Sequence, residues 1–457
     1  MNRSALTLWL SYAWPLVLAL ALAAELCNIV QWRYAIFRSD VDLGLFTQVI
    51  DGLGRGFSST VEGSVNHLLV HWSPIIVTAW PFLRLFGPIG LEYFQAVLIA
   101  ATLLPLWALA RTRVKPLTAI GLIAVASLYP ILWANGVGDF HEMAFVPVLS
   151  AALVYALDRR RWLVGILVTV LLACTKEDQF VVLAANGVLF AVTAGRDRSA
   201  RRAGLGVSGV AALGAVLYFG VVRSVLDAHV PYESLRFYDW SHVETSLKTL
   251  LFLRGRYLLM VLGPLAFLPC ISRYGLFLIP GVVEIFASSQ PITLFPGTHY
   301  SALLTGYALA AFIDAAARLG VRSPLAARSL VVAAAAASIW VGIYAAPMEY
   351  WYYLYRRPNA HDALLETTLR RLPASADVGS EDEIFAHLGL DPHASIDFDG
   401  QEWFVYDRTE YSDRWHDIDE PAVRRALAAH TYRIVSDRNG IVVLRRGNPN
   451  EGRRARP

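Results

Sequence analysis

The stretch that decides the fold is residues 8–30, LWLSYAWPLVLALALAAELCNIV, which is closely followed by residues 39–48, SDVDLGLFTQ. A membrane-spanning helix needs about 20 mostly apolar residues, so residues 8–30 predict a first span. We expect this span to be retained, because its apolar run is longer than a signal-peptide core. The second stretch places Asp40 and Asp42 where the span ends.

The whole chain has the composition of a membrane protein. Of its 457 residues, 56% are hydrophobic and 17% charged, and the mean hydropathy is +0.44. Charged residues are sparse up to about residue 347 and dense afterwards. This shift predicts a polytopic membrane domain at 1–347 and a soluble domain at 348–457. The net charge of +3 gives no support to nucleic-acid binding.

Apolar runs predict an all-α membrane domain with about eleven transmembrane helices. The predicted spans are 8–30, 89–110, 117–135, 143–157, 162–176, 179–194, 203–222, 257–271, 276–289, 299–317 and 329–347. Residues 71–87, HWSPIIVTAWPFLRLFG, are short, contain two prolines and carry Arg84. We therefore expect a re-entrant or surface-lying helix there instead of a span.

Short basic loops determine the predicted orientation. Residues 111–115, 158–161, 195–202 and 318–328 fall on one side, which the Lys/Arg excess of cytoplasmic loops assigns to the cytoplasm. The protein is then a multi-pass protein of the inner or plasma membrane with a cytoplasmic N-terminus and an extracytoplasmic C-terminal domain. Most titratable clusters of the membrane domain gather on the outer face, where charges at membrane depth are costly unless paired or functional.

Residues 42–54 are predicted to form a short amphipathic helix at the membrane surface. Its apolar residues recur at helical spacing, at Leu43, Phe46, Val49, Ile50 and Leu53. Asp42 at its start has two interpretations: it caps the helix, or it acts as a general base on an acceptor hydroxyl. Asp40 would assist Asp42 or bind a metal.

Further polar residues on the predicted outer face are candidates for substrate binding. They are His71, Asp139, His141, Glu142, Lys176, Glu177, Arg236, His299 and Tyr300. The stretch GDFHEM combines imidazole and carboxylate groups that bind a divalent cation or a phosphate-bound metal, although its spacing matches no firm metal motif. Lys176 would meet a lipid phosphate, or it would belong to an ion-paired turn.

The C-terminal residues predict a small α/β domain. Helices are expected at 361–372 and 420–430, and strands at 402–407, 431–437 and 440–446, with the last two strands joined as a hairpin. The sequence contains no nucleotide-binding glycine pattern and no Walker motif, which argues against an ATP-driven pump.

Five stretches in this order carry a family resemblance: FRSDVDLGLFTQ, HWSPIIV, GDFHEMAFVPVL, TKEDQFVVL and THYSALL. The chain resembles, over nearly its whole length, the uncharacterised membrane proteins that share domain of unknown function 2079, a family grouped with the GT-C membrane glycosyltransferases. The chain departs from the family pattern at Phe46-Thr47-Gln48, where a segment like FDQ is usual, and at His141-Glu142, which a proline often separates.

The resemblance implies a membrane glycosyltransferase that takes a sugar from a polyprenyl-phosphate lipid on the outer side. Asp42 matches the essential acid of the first outer loop, and residues 42–54 and 71–87 match the juxtamembrane helices. The acceptor would be an extracytoplasmic glycan, lipid or protein, and a divalent cation is the one cofactor to consider. Two alternatives stay open: a transporter or flippase of a lipid-linked sugar, which usually carries mid-membrane polar positions and an internal repeat, and a non-catalytic envelope scaffold.

Overall fold

The structure is a computed structural model that describes residues 3–227, 229–241, 245–345, 356–373, 376–396, 398, 400–409 and 420–447. Most of these residues are helical. The helices are α1 (Arg3–Ala35), α2 (Val41–Asp51), α3 (His67–Val70), α4 (Trp80–Phe86), α5 (Ile89–Ala101), α6 (Leu103–Arg111), α7 (Pro116–Ser127), α8 (Pro130–Val137), α9 (Phe145–Asp158), α10 (Trp162–Ala173), α11 (Asp178–Thr193), α12 (Arg198–Leu217), α13 (Arg223–Asp227), α14 (Leu247–Leu262), α15 (Leu278–Ala287), α16 (Ala302–Arg322), α17 (Pro324–Trp340), α18 (Ala360–Leu369), α19 (Asp382–Leu388) and α20 (Glu420–Ala428).

The C-terminal part contains a four-stranded sheet in the order β1-β2-β4-β3. Its strands are β1 (Val378–Ser380), β2 (Trp403–Asp407), β3 (Tyr432–Arg438) and β4 (Ile441–Arg446). β1 and β2 are parallel, and the other pairs are antiparallel. Asn439 and Gly440 connect β3 to β4 with φ values of 53° and 92°, as a tight hairpin turn requires. The predicted small C-terminal sheet is therefore confirmed.

Contacts divide the chain into two compact units. Unit 1 comprises Met1–Ile29, Leu68–Thr78 and Glu92–Tyr353, and unit 2 comprises Val30–His67, Ala79–Leu91 and Leu354–Pro457. The predicted domain boundary at residues 347 and 348 lies outside the described residues. Unit 2 contains α2 and α4 as well as the C-terminal sheet.

The centre of unit 1 is α16, in which every residue from Ala302 to Ala317 is buried. Gly306 permits a close approach to α9, because a Cβ there would lie 2.2 Å from the carbonyl oxygen of Pro147. α12 and α17 are much more exposed, and their exposed residues are largely apolar. A helix whose exposed face is apolar is suited to contact with lipid.

Five helical segments of the described residues are long and apolar enough to cross a membrane, or six if one bent pair counts as a span. They are Ala13–Ala35, Ile89–Arg111, Arg198–Asp227, His299–Arg322 and Pro324–Tyr344, and the bent pair is α7 with α8. The stretch predicted as a span at 257–271 is not one helix, because α14 ends at Leu262 and left-handed backbone follows at Ala266 and Phe267. The count of eleven stays a prediction.

The stretch 71–87 forms two short elements instead of one helix. A 3-10 turn at Pro74–Ala79 is followed by α4, which ends at Phe86 and is capped by Gly87. Together they make an apolar segment that is shorter than a membrane span. The re-entrant or surface-lying position of this segment stays a prediction.

The sheet of unit 2 is covered by helices on both faces. Val405, Ile441 and Val443 pack with α18 and α19, whereas Phe404, Val442 and Leu444 pack with α20. This alternation is the period of two expected for strands buried on both sides. β1 and α19 were not predicted, because β1 has only three residues and α19 only two turns.

The helix α2 packs against α19 within unit 2. Gly44 allows this packing, since a Cβ on it would lie 2.5 Å from the ring of Phe385. Four of the predicted apolar residues of α2 are buried, but the helix ends at Asp51 and Leu53 is 48% exposed. Leu53, a member of the predicted apolar stripe, therefore lies beyond the end of α2.

Candidate functional site

Glu177 is the centre of a buried polar cluster in unit 1. It precedes α11, and its side chain is only 2% exposed. Its carboxylate accepts hydrogen bonds from His71 Nδ1 at 2.9 Å, Trp72 N at 2.8 Å, Tyr232 OH at 3.0 Å and Ser234 Oγ at 3.2 Å. A buried carboxylate is costly unless it is paired and hydrogen-bonded, and Glu177 is both.

Opposite shifts in pKa favour the charged forms of His71 and Glu177. Burial opposes ionisation of Glu177, but the charge and hydrogen bond of His71, with the charge of Lys176, hold the pKa of Glu177 well below its usual range. Burial and the Lys176 ammonium act to lower the pKa of His71, but Glu177 and Glu142 outweigh them and raise this pKa above its usual value. Proton transfer within the pair is therefore disfavoured.

Lys176 and Glu142 form a second buried pair beside the first. Lys176 Nζ lies 3.2 Å from Glu142 Oε1, and His141 Nδ1 lies 3.1 Å from Glu142 Oε2. The Glu142 carboxylate compensates the charge of this buried ammonium. Neither oxygen of Glu142 has hydrogen-bond geometry with a described residue, so this carboxylate can accept bonds from a ligand.

Aromatic and imidazole rings line the same cluster. The rings of His141 and His299 stack with centroids 3.5 Å apart, and the ring of Tyr300 lies 4.2 Å from that of His299. Lys176 Nζ lies 5.9 Å from the centroid of Tyr300. Two adjacent imidazole side chains can act as ligands of a divalent cation, although a catalytic zinc site usually has three protein ligands. The arrangement also suits an anion, because the Lys176 ammonium and the two imidazole rings lie close together and can donate hydrogen bonds to it.

Asp139 and Arg236 are candidates of unit 1 whose backbone carbonyl groups fix the surrounding loops. The carbonyl oxygen of Asp139 accepts from Gln95 Nε2 at 3.1 Å, and that of Arg236 accepts from Asp239 N at 3.3 Å. The side chain of Arg236 is exposed. These carbonyl bonds hold the loop backbone at both positions.

Sequence reasoning missed several residues that hold the cluster together. Gln95 on α5 donates to the carbonyl oxygen of Gly138 at 2.8 Å and accepts from His141 N at 3.0 Å, which fixes the loop that carries His141. Tyr232 and Ser234 lie in a predicted outer loop of mixed polar and aromatic residues, which gave no specific signal. A buried glutamine in an apolar helix is a signal that could have drawn attention to Gln95, since buried amides need partners.

Asp40 and Asp42 belong to unit 2. Asp40 is the N-cap of α2, with its Oδ1 accepting from Val41 N at 2.7 Å, whereas Asp42 lies in the first turn of the helix. The interpretation of Asp42 as the helix cap is therefore wrong, because α2 begins one residue earlier than predicted. Asp42 is half-buried, and capping does not explain its presence.

A neighbour of Asp40 has an unusual acidity. Burial, together with the negative charge of Asp40, raises the pKa of Glu383 on α19 to about 8. His387, one turn further along α19, is stacked between Tyr34 and Phe37 with centroids 3.9 Å from each ring. The sequence offered no signal for this grouping, because it joins residues that are more than 300 positions apart.

Gln48 follows Thr47, the residue at which the chain departs from the family segment FDQ. Its amide nitrogen donates to the carbonyl oxygens of Asp391 and Ala394, both at 2.9 Å, and its amide oxygen accepts from Ser59 Oγ at 2.8 Å and Thr60 N at 3.0 Å. All the polar valences of this buried side chain are thus used within unit 2. Gln48 therefore positions α2.

Comparison with known proteins agrees with this architecture. The chain is similar to the crystal structure of ArnT from Cupriavidus metallidurans bound to undecaprenyl phosphate, with a TM-score of 0.54, 13% identity, and coverage of 93% of this chain and 97% of that one. The apo form of ArnT gives a TM-score of 0.53 and 14% identity at the same coverage. The predicted GT-C-like fold is confirmed at this level. No curated protein matches by sequence. Residues 33–443 match one family, and the chain therefore belongs to the family described as "Predicted membrane protein (DUF2079)".

Proposed function

We propose that the protein is an inverting glycosyltransferase that uses a polyprenyl-phosphate-linked sugar and modifies an extracytoplasmic glycan, lipid or protein. The observation that carries this proposal is the buried cluster of Lys176, His141 and His299 in a chain whose fold resembles a protein crystallised with undecaprenyl phosphate. A lipid phosphate needs a positive charge and hydrogen-bond donors next to the hydrocarbon, and the Lys176 ammonium and the neighbouring imidazoles are proposed to supply them.

Lys176 is the residue proposed to stabilise the departing lipid phosphate. Its side chain is 7% exposed, and its ammonium faces Glu142, which neutralises it in the absence of ligand. Charge-assisted hydrogen bonds in such a dry site are strong, and they stabilise negative charge as it develops in the transition state. The rings of His299 and Tyr300 provide an adjoining surface for the sugar.

Asp42 is proposed as the general base, with Asp40 helping to organise the start of α2. The acceptor oxygen bonds to the anomeric carbon while its proton passes to Asp42. The bond from that carbon to the phosphate oxygen breaks, and the electron pair leaves on the polyprenyl phosphate. Removing a positioned general base typically slows a reaction by about 10²- to 10⁴-fold.

A divalent cation is an additional proposal, supported by the adjacent imidazoles of His141 and His299. If a cation acts at this site, chelation should abolish sugar transfer and added Mn²⁺ or Mg²⁺ should restore it. Transfer that is unchanged after chelation would dismiss a metal.

Binding of the donor carrier tests the role of Lys176. We expect Lys176→Met to weaken binding of undecaprenyl phosphate by about tenfold or more, as measured by native mass spectrometry of the purified protein. Lys248→Met is the matched control, because Lys248 is an exposed lysine in the first turn of α14. Lys176→Arg shows whether a cation is sufficient. Equal binding by Lys176→Met and the wild type would refute the phosphate role.

Sugar transfer tests the role of Asp42. Membranes that contain labelled polyprenyl-phosphate sugars should release free polyprenyl phosphate with the wild type and with Asp437→Asn, a control on β3, but at least about 100-fold more slowly with Asp42→Asn. If a folded Asp42→Asn variant keeps full activity, Asp42 is not the base. Movement of the labelled lipid across the bilayer without release would instead favour the flippase alternative.

The proposed orientation places this chemistry outside the cytoplasm. Single cysteines at Arg201 and Arg433, in a variant without the three native cysteines, should respond oppositely to an impermeant thiol reagent. Labelling of the Arg433 position in intact cells, with protection of the Arg201 position, would agree with an extracytoplasmic C-terminal domain. The reverse pattern would contradict it.

A further inference from the structure

A polar cavity lies in unit 1, at the opposite ends of the helices that carry the Glu177 cluster. It has a volume of about 410 Å³ and is lined by the end of α9, the start of α10, the end of α11, the start of α12 and the turn before α15. Glu177 precedes α11 and Thr193 ends it, so about 24 Å of helix separates the cluster from this cavity. The cavity is therefore a separate site.

The cavity has an aromatic floor and a cationic rim. Phe190, Tyr274 and Phe277 on the floor are buried. The side chains of Arg160 and Arg273 at the rim are 66% and 49% exposed. A pocket with an apolar base and exposed guanidinium groups is suited to an amphipathic anion.

The two carboxylates of the cavity are already neutralised by the protein. Asp158 accepts from Arg113 Nη2 at 2.5 Å, from Tyr274 OH at 2.6 Å and from Arg273 Nη2 at 3.0 Å. Asp197 accepts from Ser199 N and Ala200 N, both at 3.1 Å, and pairs with Arg160 at 2.6 Å. A cationic ligand would have to displace these partners.

The arginines, in contrast, keep hydrogen-bonding capacity. Within the part of the chain that the structure describes, Nε and Nη1 of Arg273 and of Arg160 have no hydrogen-bond partner. Further arginines lie in the two adjoining loops and in the first turns of α12, at Arg159, Arg161, Arg196, Arg198, Arg201 and Arg202. The electrostatic potential of this end of unit 1 therefore favours negative charge.

We propose that this cavity binds the phosphate of an anionic phospholipid, with Arg160 and Arg273 as its ligands and the glycerol backbone over the aromatic floor. Arginine matches phosphate geometry with paired N–H groups, and basic pockets between transmembrane helices are suited to lipid head groups. The exposed apolar residues Leu163 and Val192, near the same helix ends, would contact the acyl chains. The proposal is independent of the glycosyltransferase chemistry.

Retention of lipid in native mass spectra tests the proposal. The purified protein, reconstituted in nanodiscs of phosphatidylglycerol and phosphatidylcholine in equal parts, should retain phosphatidylglycerol preferentially. Arg160→Gln with Arg273→Gln should weaken retention by about fivefold per arginine. The matched control is Arg322→Gln with Arg328→Gln, two exposed arginines that do not line the cavity. Equal losses in the two double variants would overturn the proposal.

A second variant separates the cavity from general surface charge. Ala194→Trp leaves every arginine in place but fills the cavity, because Ala194 lines it. We expect this variant to lose the retained phosphatidylglycerol as well, and full retention would refute the site. Inorganic phosphate and glycerol 3-phosphate are the soluble probes. Stabilisation of the protein by these probes, without lipid retention, would overturn the phospholipid and assign a soluble phosphate ester.

Discussion

The pair His71–Glu177 offers the sharpest test of the structure, through Glu177→Gln and a double-mutant cycle with His71→Gln. Glu177 is 2% exposed and His71 25% exposed, so water screens their interaction weakly. Glutamine keeps the shape of the side chain but removes its charge and turns one acceptor into a donor. The amide nitrogen would then face donors such as Trp72 N or Tyr232 OH.

The magnitude follows from these bonds. A hydrogen bond to a charged group contributes about 1.5–3 kcal/mol. Removal of one member of a buried pair costs about 3–5 kcal/mol because the other charge is left uncompensated. Since glutamine retains part of the network, we expect Glu177→Gln to lower the free energy of unfolding by about 3 kcal/mol. The coupling energy with His71 should be about 2 kcal/mol.

The coupling should depend on pH in a defined direction. The raised pKa of His71 adds stability that is fully present below about pH 6.5 and is lost as pH rises through the folded-state pKa. The lowered pKa of Glu177 adds stability that is present above about pH 4.3 and is lost as pH falls. The coupling is therefore largest between these two values and declines as pH rises through the folded-state pKa of His71.

The assay is unfolding by SDS in mixed micelles, followed by tryptophan fluorescence at pH 6 and pH 9 for the four proteins of the cycle. A coupling energy below about 0.5 kcal/mol at pH 6 would refute the reasoning, because that is the range of exposed surface pairs. A coupling that stays constant as the His71 imidazole loses its proton would also contradict it.

Three further predictions concern packing and acidity. Glu383→Gln should remove the pH dependence that this carboxyl gives to the stability of unit 2. In the wild type the pKa of Glu383, about 8, lies above its unfolded value, so its contribution to stability should be lost as pH rises from about 4.3 to 8. A variant with the same pH profile as the wild type would contradict the effect. Gly187→Ala should destabilise unit 1 by about 2 kcal/mol, because the added Cβ would lie 2.5 Å from the carbonyl oxygen of Gly204. Gly209→Ala is the control: a Cβ added there meets no atom within 4 Å, so this variant should be neutral in the same SDS titration. Gln48→Leu should lower the free energy of unfolding by about 3 kcal/mol, since it leaves buried donors and acceptors without partners, and should make the region around α2 sensitive to proteolysis. Unchanged protease resistance would show that α2 is held by its apolar contacts alone.

Local patterns were sufficient for the regular elements of the chain. Apolar runs identified the membrane class, and alternating residues with an Asn-Gly turn identified the hairpin of β3 and β4. These signals are local because a helix or hairpin buries residues at a fixed sequence spacing. Breaks such as the left-handed residues Ala266 and Phe267 were invisible, because their apolar side chains continue the run.

The candidate site was only partly accessible to the same reasoning. The sequence by itself determined that the chain enters a membrane and that acids, lysines and histidines stand at the ends of its apolar runs. It also required each buried charge to have a partner. Only the tertiary structure decided which partners meet: Glu177 with His71, 106 residues away, and Gln48 with Asp391, 343 residues away. The physical reason is that a buried charge or amide demands compensation from any nearby group, while the identity of that group depends on how distant helices pack.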